Sequence, residues 1–158
     1  SLFGLTEAWG AVQLRSASAA LVATSQTSTP GGGGTFGQSV PLVAETELIR
    51  SGTTRTIPAV REDASFRTNL ILANGTEAPV DVDVSLVAET GTVLGSRRWS
   101  LLPLGMTQVS RVVRELGVSA NASGARLVLS TPTAGGAFAA YASVIDAKTN
   151  DPRTLLPK

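Results

Sequence analysis

In the stretch PVDVDVSLV, residues 79–87, Val80, Val82, Val84 and Leu86 alternate with Asp81, Asp83 and Ser85. Successive side chains of a strand point to opposite faces, so this pattern buries one face and wets the other. Just upstream, FRTNLILAN (66–74) places Phe66, Thr68, Leu70 and Leu72 on one face. The intervening NGTEAP carries Asn-Gly and Pro, a strong turn signal. The spacing predicts that these two strands pair as an antiparallel hairpin.

Further strands follow the same logic. TVLGSRRWSLLP (92–103) reads as a strand with Trp99 and Leu101 inward and Arg98 and Ser100 outward, and Gly95 marks a bulge or bend. MTQVSRVV (106–113) is another, closing in one helical turn that ends at Gly117. GARLVLS (124–130) and GGAFAAYASVID (135–146) flank the turn TPTAGG, and NDPRTLLP reads as a turn and an extended tail. Apolar residues make up 42% of the 158 and suffice for a core, while charged residues are only 16%. Many short Val/Thr/Leu runs between Gly, Pro and Asn turns predict an all-β fold, an antiparallel β-sandwich of Ig-like or jelly-roll-like type.

Within 137–145 both faces are mostly apolar. Phe138, Ala140, Ala142 and Val144 share one, and Ala139, Tyr141, Ser143 and Ile145 the other. Either a loop covers the second face of a central strand, or that face is an interface with a subunit or repeat.

The chain has no cysteine and no histidine. Disulfides, thiolate metal sites and every Ser-His or Cys-His catalytic pair are therefore excluded within it. Only Lys148 and Lys158 supply amines, so the expectation is a protein that is not an enzyme and uses no cofactor. A net charge of +1 with scattered Arg and Lys argues against nucleic acid as partner. No apolar run approaches the ~18 residues of a membrane span. A start at Ser1 without a charged, apolar leader reads as a processed form or an excised fragment.

Four glycines, Gly31, Gly32, Gly33 and Gly34, interrupt the chain after only thirty residues. Residues 10–16, GAVQLRS, echo 124–130, GARLVLS, and 19–30, AALVATSQTSTP, echo 138–152. Residues 1–30 thus read as the last strands of a preceding unit, 31–37 as a Gly-rich hinge, and 38–158 as a complete sandwich.

GTFGQSVP, REDASFRTNLILAN, Gly105-Met106-Thr107-Gln108 and AYASVIDAKTNDPRTLLP resemble the tandem β-sandwich modules near the C-termini of large secreted bacterial proteins. That resemblance spans nearly the whole chain and implies a sandwich at an extracellular or cell-surface location. The order of strand, Asn, valine-rich strand, Pro-Gly turn and Gly-Ala strand is also similar, more distantly, to sensory-rhodopsin-transducer-like sandwiches.

Few groups suggest chemistry. Arg61, Glu62, Asp63 and Arg67 form the densest charged cluster, and they read as a salt-bridged turn entering a strand. Asp146, Asn150 and Asp151 offer oxygen ligands of the kind calcium takes, but the spacing is not that of an EF-hand and favours an Asx-type turn. Asn74-Gly75-Thr76 and Asn121-Ala122-Ser123 are glycosylation sequons. Phe3, Trp9, Phe36, Phe66, Trp99, Phe138 and Tyr141 are too spread out for a flat sugar-binding platform, and Trp99 is expected in the core.

The function expected from these readings is a non-enzymatic structural module that joins copies of itself or adjacent repeats into a filament or array. The expected mechanism is β-strand complementation, with Val12, Leu14, Leu21, Val22, Phe138 and Tyr141 at the interface and Gly31 to Gly34 as hinge. A secreted accessory domain that binds a surface glycan or another ligand is the alternative.

Overall fold

A computed structural model describes Gly4 and residues 10–17, 21–31, 34–119 and 121–158. Its strands are β1 (Ser25–Gly31), β2 (Gly34–Val40), β3 (Ile49–Arg50), β4 (Thr54–Glu62), β5 (Phe66–Asn74) and β6 (Val80–Val87). There follow β7 (Val93–Leu101), β8 (Met106–Val109), the single helical turn α1 (Val112–Glu115), β9 (Ala122–Ser130), β10 (Ala137–Asp146) and β11 (Pro152–Leu155).

The chain is a β-sandwich. One sheet runs β4-β9-β6-β7, and the other β11-β10-β5-β8, with β3 beside the start of β10. All pairs are antiparallel. The core is where the inner faces meet. Val80, Val82, Val84, Leu86, Leu127 and Leu129 come from the first sheet, and Leu70, Leu72, Phe138, Ala140 and Ala142 from the second. Val112, Val113 and Leu116 of the α1 region belong to the same cluster, and Trp99 packs against it from β7.

β6 buries the four apolar residues that its alternation selects. At β7 the register slips between Leu86 and Val87, the bulge expected near Gly95. A side chain at Gly95 would run into the carbonyl oxygen of Leu116, so close packing of the α1 region demands glycine there.

The expected hairpin of β5 with β6 does not form. β5 lies between β10 and β8, and β6 between β9 and β7. Asn74 makes the corner between sheets. Its Oδ1 accepts from the Thr76 amide at 2.8 Å and hydroxyl at 2.9 Å, while its Nδ2 donates to the carbonyls of Ala78 and Leu102. Alternation requires both apolar faces to reach one core, and strands in opposite sheets meet that condition as well as neighbours do.

Two other expectations are corrected. The tail is not merely extended, because β11 pairs with β10, and Lys158 exchanges backbone hydrogen bonds with Thr56 of β4. Residues 10–17 and 21–24 are in no strand. The first strand is the polar stretch Ser25–Gly31, which pairs with β2 across the glycine run, from Ser25–Val40 to Gly31–Gly34. Gly32 and Gly33 lie outside the described residues.

Candidate functional site

β10 supplies the floor of a large concavity. Its inner face carries Phe138, Ala140 and Ala142 into the core, and its outer face carries Tyr141, Ser143 and Ile145. Beside them on the same outer face stand Arg67, Asn69 and Ile71 of β5 and Gln108 of β8. The β1–β2 hairpin leans over this face and turns it into a cleft of about 580 Å³, within the range of small-molecule sites.

Side-chain hydrogen bonds hold the hairpin there. Ser143 Oγ donates to Gln38 Oε1 at 2.8 Å, and Thr154 Oγ1 donates to the Ser39 carbonyl at 3.0 Å. Other cleft groups are oriented from behind. Asn69 Oδ1 accepts from the Arg111 amide at 3.1 Å, and Asn150 Oδ1 accepts from Arg67 Nη2 at 3.1 Å. Burial pushes the Tyr141 phenol above its ordinary value. Among the described residues of the lining, Arg67 is the one charged side chain. The Ser143 hydroxyl donates to the Gln38 side-chain amide oxygen, which is not a base.

The charged cluster at 61–67 is a turn. Asp63 accepts from Arg61 Nε at 2.7 Å and from the amides of Ser65 and Phe66 at 2.7 and 2.9 Å. The Arg61 hydrogen bond, then the Ser65 amide, hold its carboxyl below the usual range. The Arg61 guanidinium also lies 3.9 Å from the centre of the Phe66 ring. Glu62, by contrast, is 4% exposed and its Oε1 has no hydrogen bond, with Arg114 Nε at 3.5 Å. Burial raises its carboxyl above the ordinary value, and the Thr68 amide and the charges of Arg111 and Arg114 offset this only in part.

The 146–151 loop is built around Asp146, whose Oδ1 accepts from the amides of Lys148 at 2.7 Å and Thr149 at 2.9 Å. These amides, Thr149 first, hold the Asp146 carboxyl low. Asn150 turns toward Arg67, and no group of three or more acidic side chains suited to a metal occurs among the described residues. Of the sequons, Asn121 is exposed. Asn74 is 2% exposed with its Nδ2 spent on two carbonyls, so the folded chain cannot present it for glycosylation.

The expected interface residues are scattered. Val12, Leu14, Leu21 and Val22 are exposed, at 64%, 50%, 47% and 90%. Tyr141 faces the cleft. Phe138 is 0% exposed within its own core, which corrects its assignment to an interface, since a side chain sealed between two sheets meets no partner. Phe3 and Trp9 lie outside the described residues. Gln38, Asn69 and Gln108 were not singled out by the sequence. The two-sided apolar pattern of β10 was the one signal that pointed to this face. No protein-family model matches the chain, and neither the curated proteins nor the solved structures yield a match.

Proposed function

We propose that this chain is a non-enzymatic structural module of the extracellular space or cell surface that associates with copies of itself by strand addition. The donor is the segment 10–24, and the acceptor is the free edge of β7 on the next copy. One observation carries the reading: Val12, Leu14, Leu21 and Val22 expose large apolar side chains within residues 10–17 and 21–24, which pair in no strand among the described residues. Such residues gain roughly 1.5–3 kcal/mol each when fully buried. Residues 25–31 are already paired with β2, so the donor ends before Ser25.

The choice of β7 rests on elimination. β7 is nine residues long and, among the described residues, pairs only with β6. The other outer strand of that sheet, β4, bonds the C-terminal Lys158, and β8 has four residues. An open strand edge is a template for another chain. The location is supported by the likeness of the sequence to secreted modules.

Light scattering tests the association. The intact chain should form concentration-dependent oligomers, and removal of residues 1–24, or Leu14→Asp, should leave a monomer of unchanged melting temperature. A chain without cysteine also allows cross-linking, in which Leu14→Cys and Val93→Cys copies should join when mixed. An intact chain that stays monomeric at high concentration would sink the reading.

A further inference from the structure

The cleft under the hairpin has an imbalance of donors and acceptors. The side-chain oxygens of Gln38, Asn69 and Asn150 already accept hydrogen bonds from Ser143, the Arg111 amide and Arg67. Their amide nitrogens donate to no described residue, and neither does the Tyr141 hydroxyl. Arg67 gives one nitrogen to Asn150 and has no carboxylate within ion-pair distance among the described residues. The described residues of the lining include no Asp or Glu. What remains is a set of N–H and O–H donors with one positive charge, spread along β2, β5, β10 and the 146–151 loop.

We propose that this cleft binds an acidic oligosaccharide. Arg67 takes a carboxylate of the sugar, and the amides of Gln38, Asn69 and Asn150 and the Tyr141 hydroxyl donate to its hydroxyl and ring oxygens. A guanidinium pairs with a carboxylate through two parallel hydrogen bonds, which fixes orientation as well as charge. A single small anion would satisfy Arg67 but not donors on three other elements. A cleft of about 580 Å³ has room for more than one sugar ring. The inference is independent of strand addition, because no described cleft residue belongs to segment 10–24.

Calorimetric titration of the intact chain tests it with a panel of oligogalacturonate, oligomannuronate and chondroitin fragments, and with maltotriose as the uncharged control. At least one acidic probe should bind, maltotriose should not, and added salt should weaken binding. Arg67→Gln should reduce affinity about tenfold or more, and Tyr141→Phe by less, with melting temperatures unchanged. Should Arg67→Gln lower the melting temperature, amide shift mapping on the unaltered chain replaces it, with changes expected at Arg67, Asn69 and Tyr141. No binding across the panel, equal affinity for maltotriose, indifference to a stable Arg67→Gln, or shifts confined elsewhere would each overturn the proposal.

Discussion

Every buried core residue of the described chain lies at or after Ile49, whereas six of its eleven exposed large apolar side chains lie before it. The body and the N-terminal quarter draw on the same small vocabulary of Val, Leu, Ala, Ser and Thr. They differ in whether a second surface exists for the apolar face to meet. Each sheet of the body covers the other, and α1 joins the same core. Among the described residues, the N-terminal quarter forms one hairpin, held to the body by hydrogen bonds at Gln38 and Ser39. A two-stranded ribbon is marginal by itself and persists by leaning on a larger sheet.

The sharpest break of that comparison is a pair of leucine deletions. Leu70→Ala, at a site with 0% exposure, should cost about 2–5 kcal/mol. Leu14→Ala should stay within about 0.5 kcal/mol. Urea unfolding measures both, and similar midpoints would show that residues 10–24 share the core. Next in size is the corner between sheets. Asn74→Ala strips four hydrogen bonds from a buried site and should cost roughly 3 kcal/mol. A loss below that of an exposed substitution would mean the β5–β6 turn holds itself.

The hairpin gives a smaller and more local effect. A side chain at Gly37 would strike the carbonyl oxygen of Thr27 on the paired strand. Gly37→Val should therefore open the hairpin to proteolysis near residues 31–34 while changing the stability of the body little, by about 1 kcal/mol or less. Cooperative unfolding of the whole chain would instead make the hairpin part of the body.

The last effect depends on pH. The Glu62 carboxyl is raised from 4.5 by burial, so ionising it costs stability in the folded state. That cost is absent below the ordinary carboxylate range, grows as pH rises through the folded value, and is constant above it. Glu62→Gln should remove this decline and make the protein more stable than the parent at pH 7, as denaturation at pH 4.5 and pH 7 would reveal. Asp63, Asp83 and Asp146 are shifted downward and act at lower pH in both proteins. An unchanged pH profile would show that Arg114 compensates the buried charge.

Local physics was legible in the sequence by itself. The alternation over 80–87, the inward Trp99 and Leu101, the bulge at Gly95, the helical turn ending at Gly117 and the salt-bridged turn at Asp63 each depend on residues close in the chain. So did the composition that excludes histidine and cysteine chemistry. Tertiary structure alone decided which strands are neighbours. Period-2 patterning says which face is buried but not what buries it, so the pairing of β5 with β10 across more than sixty residues left no local trace. It also decided that Phe138 is sealed in the core while Tyr141, three residues on, lines a cleft with Gln38 and Asn69. Those side chains come from separate strands, and only the packing of the hairpin over the sheet brings them together.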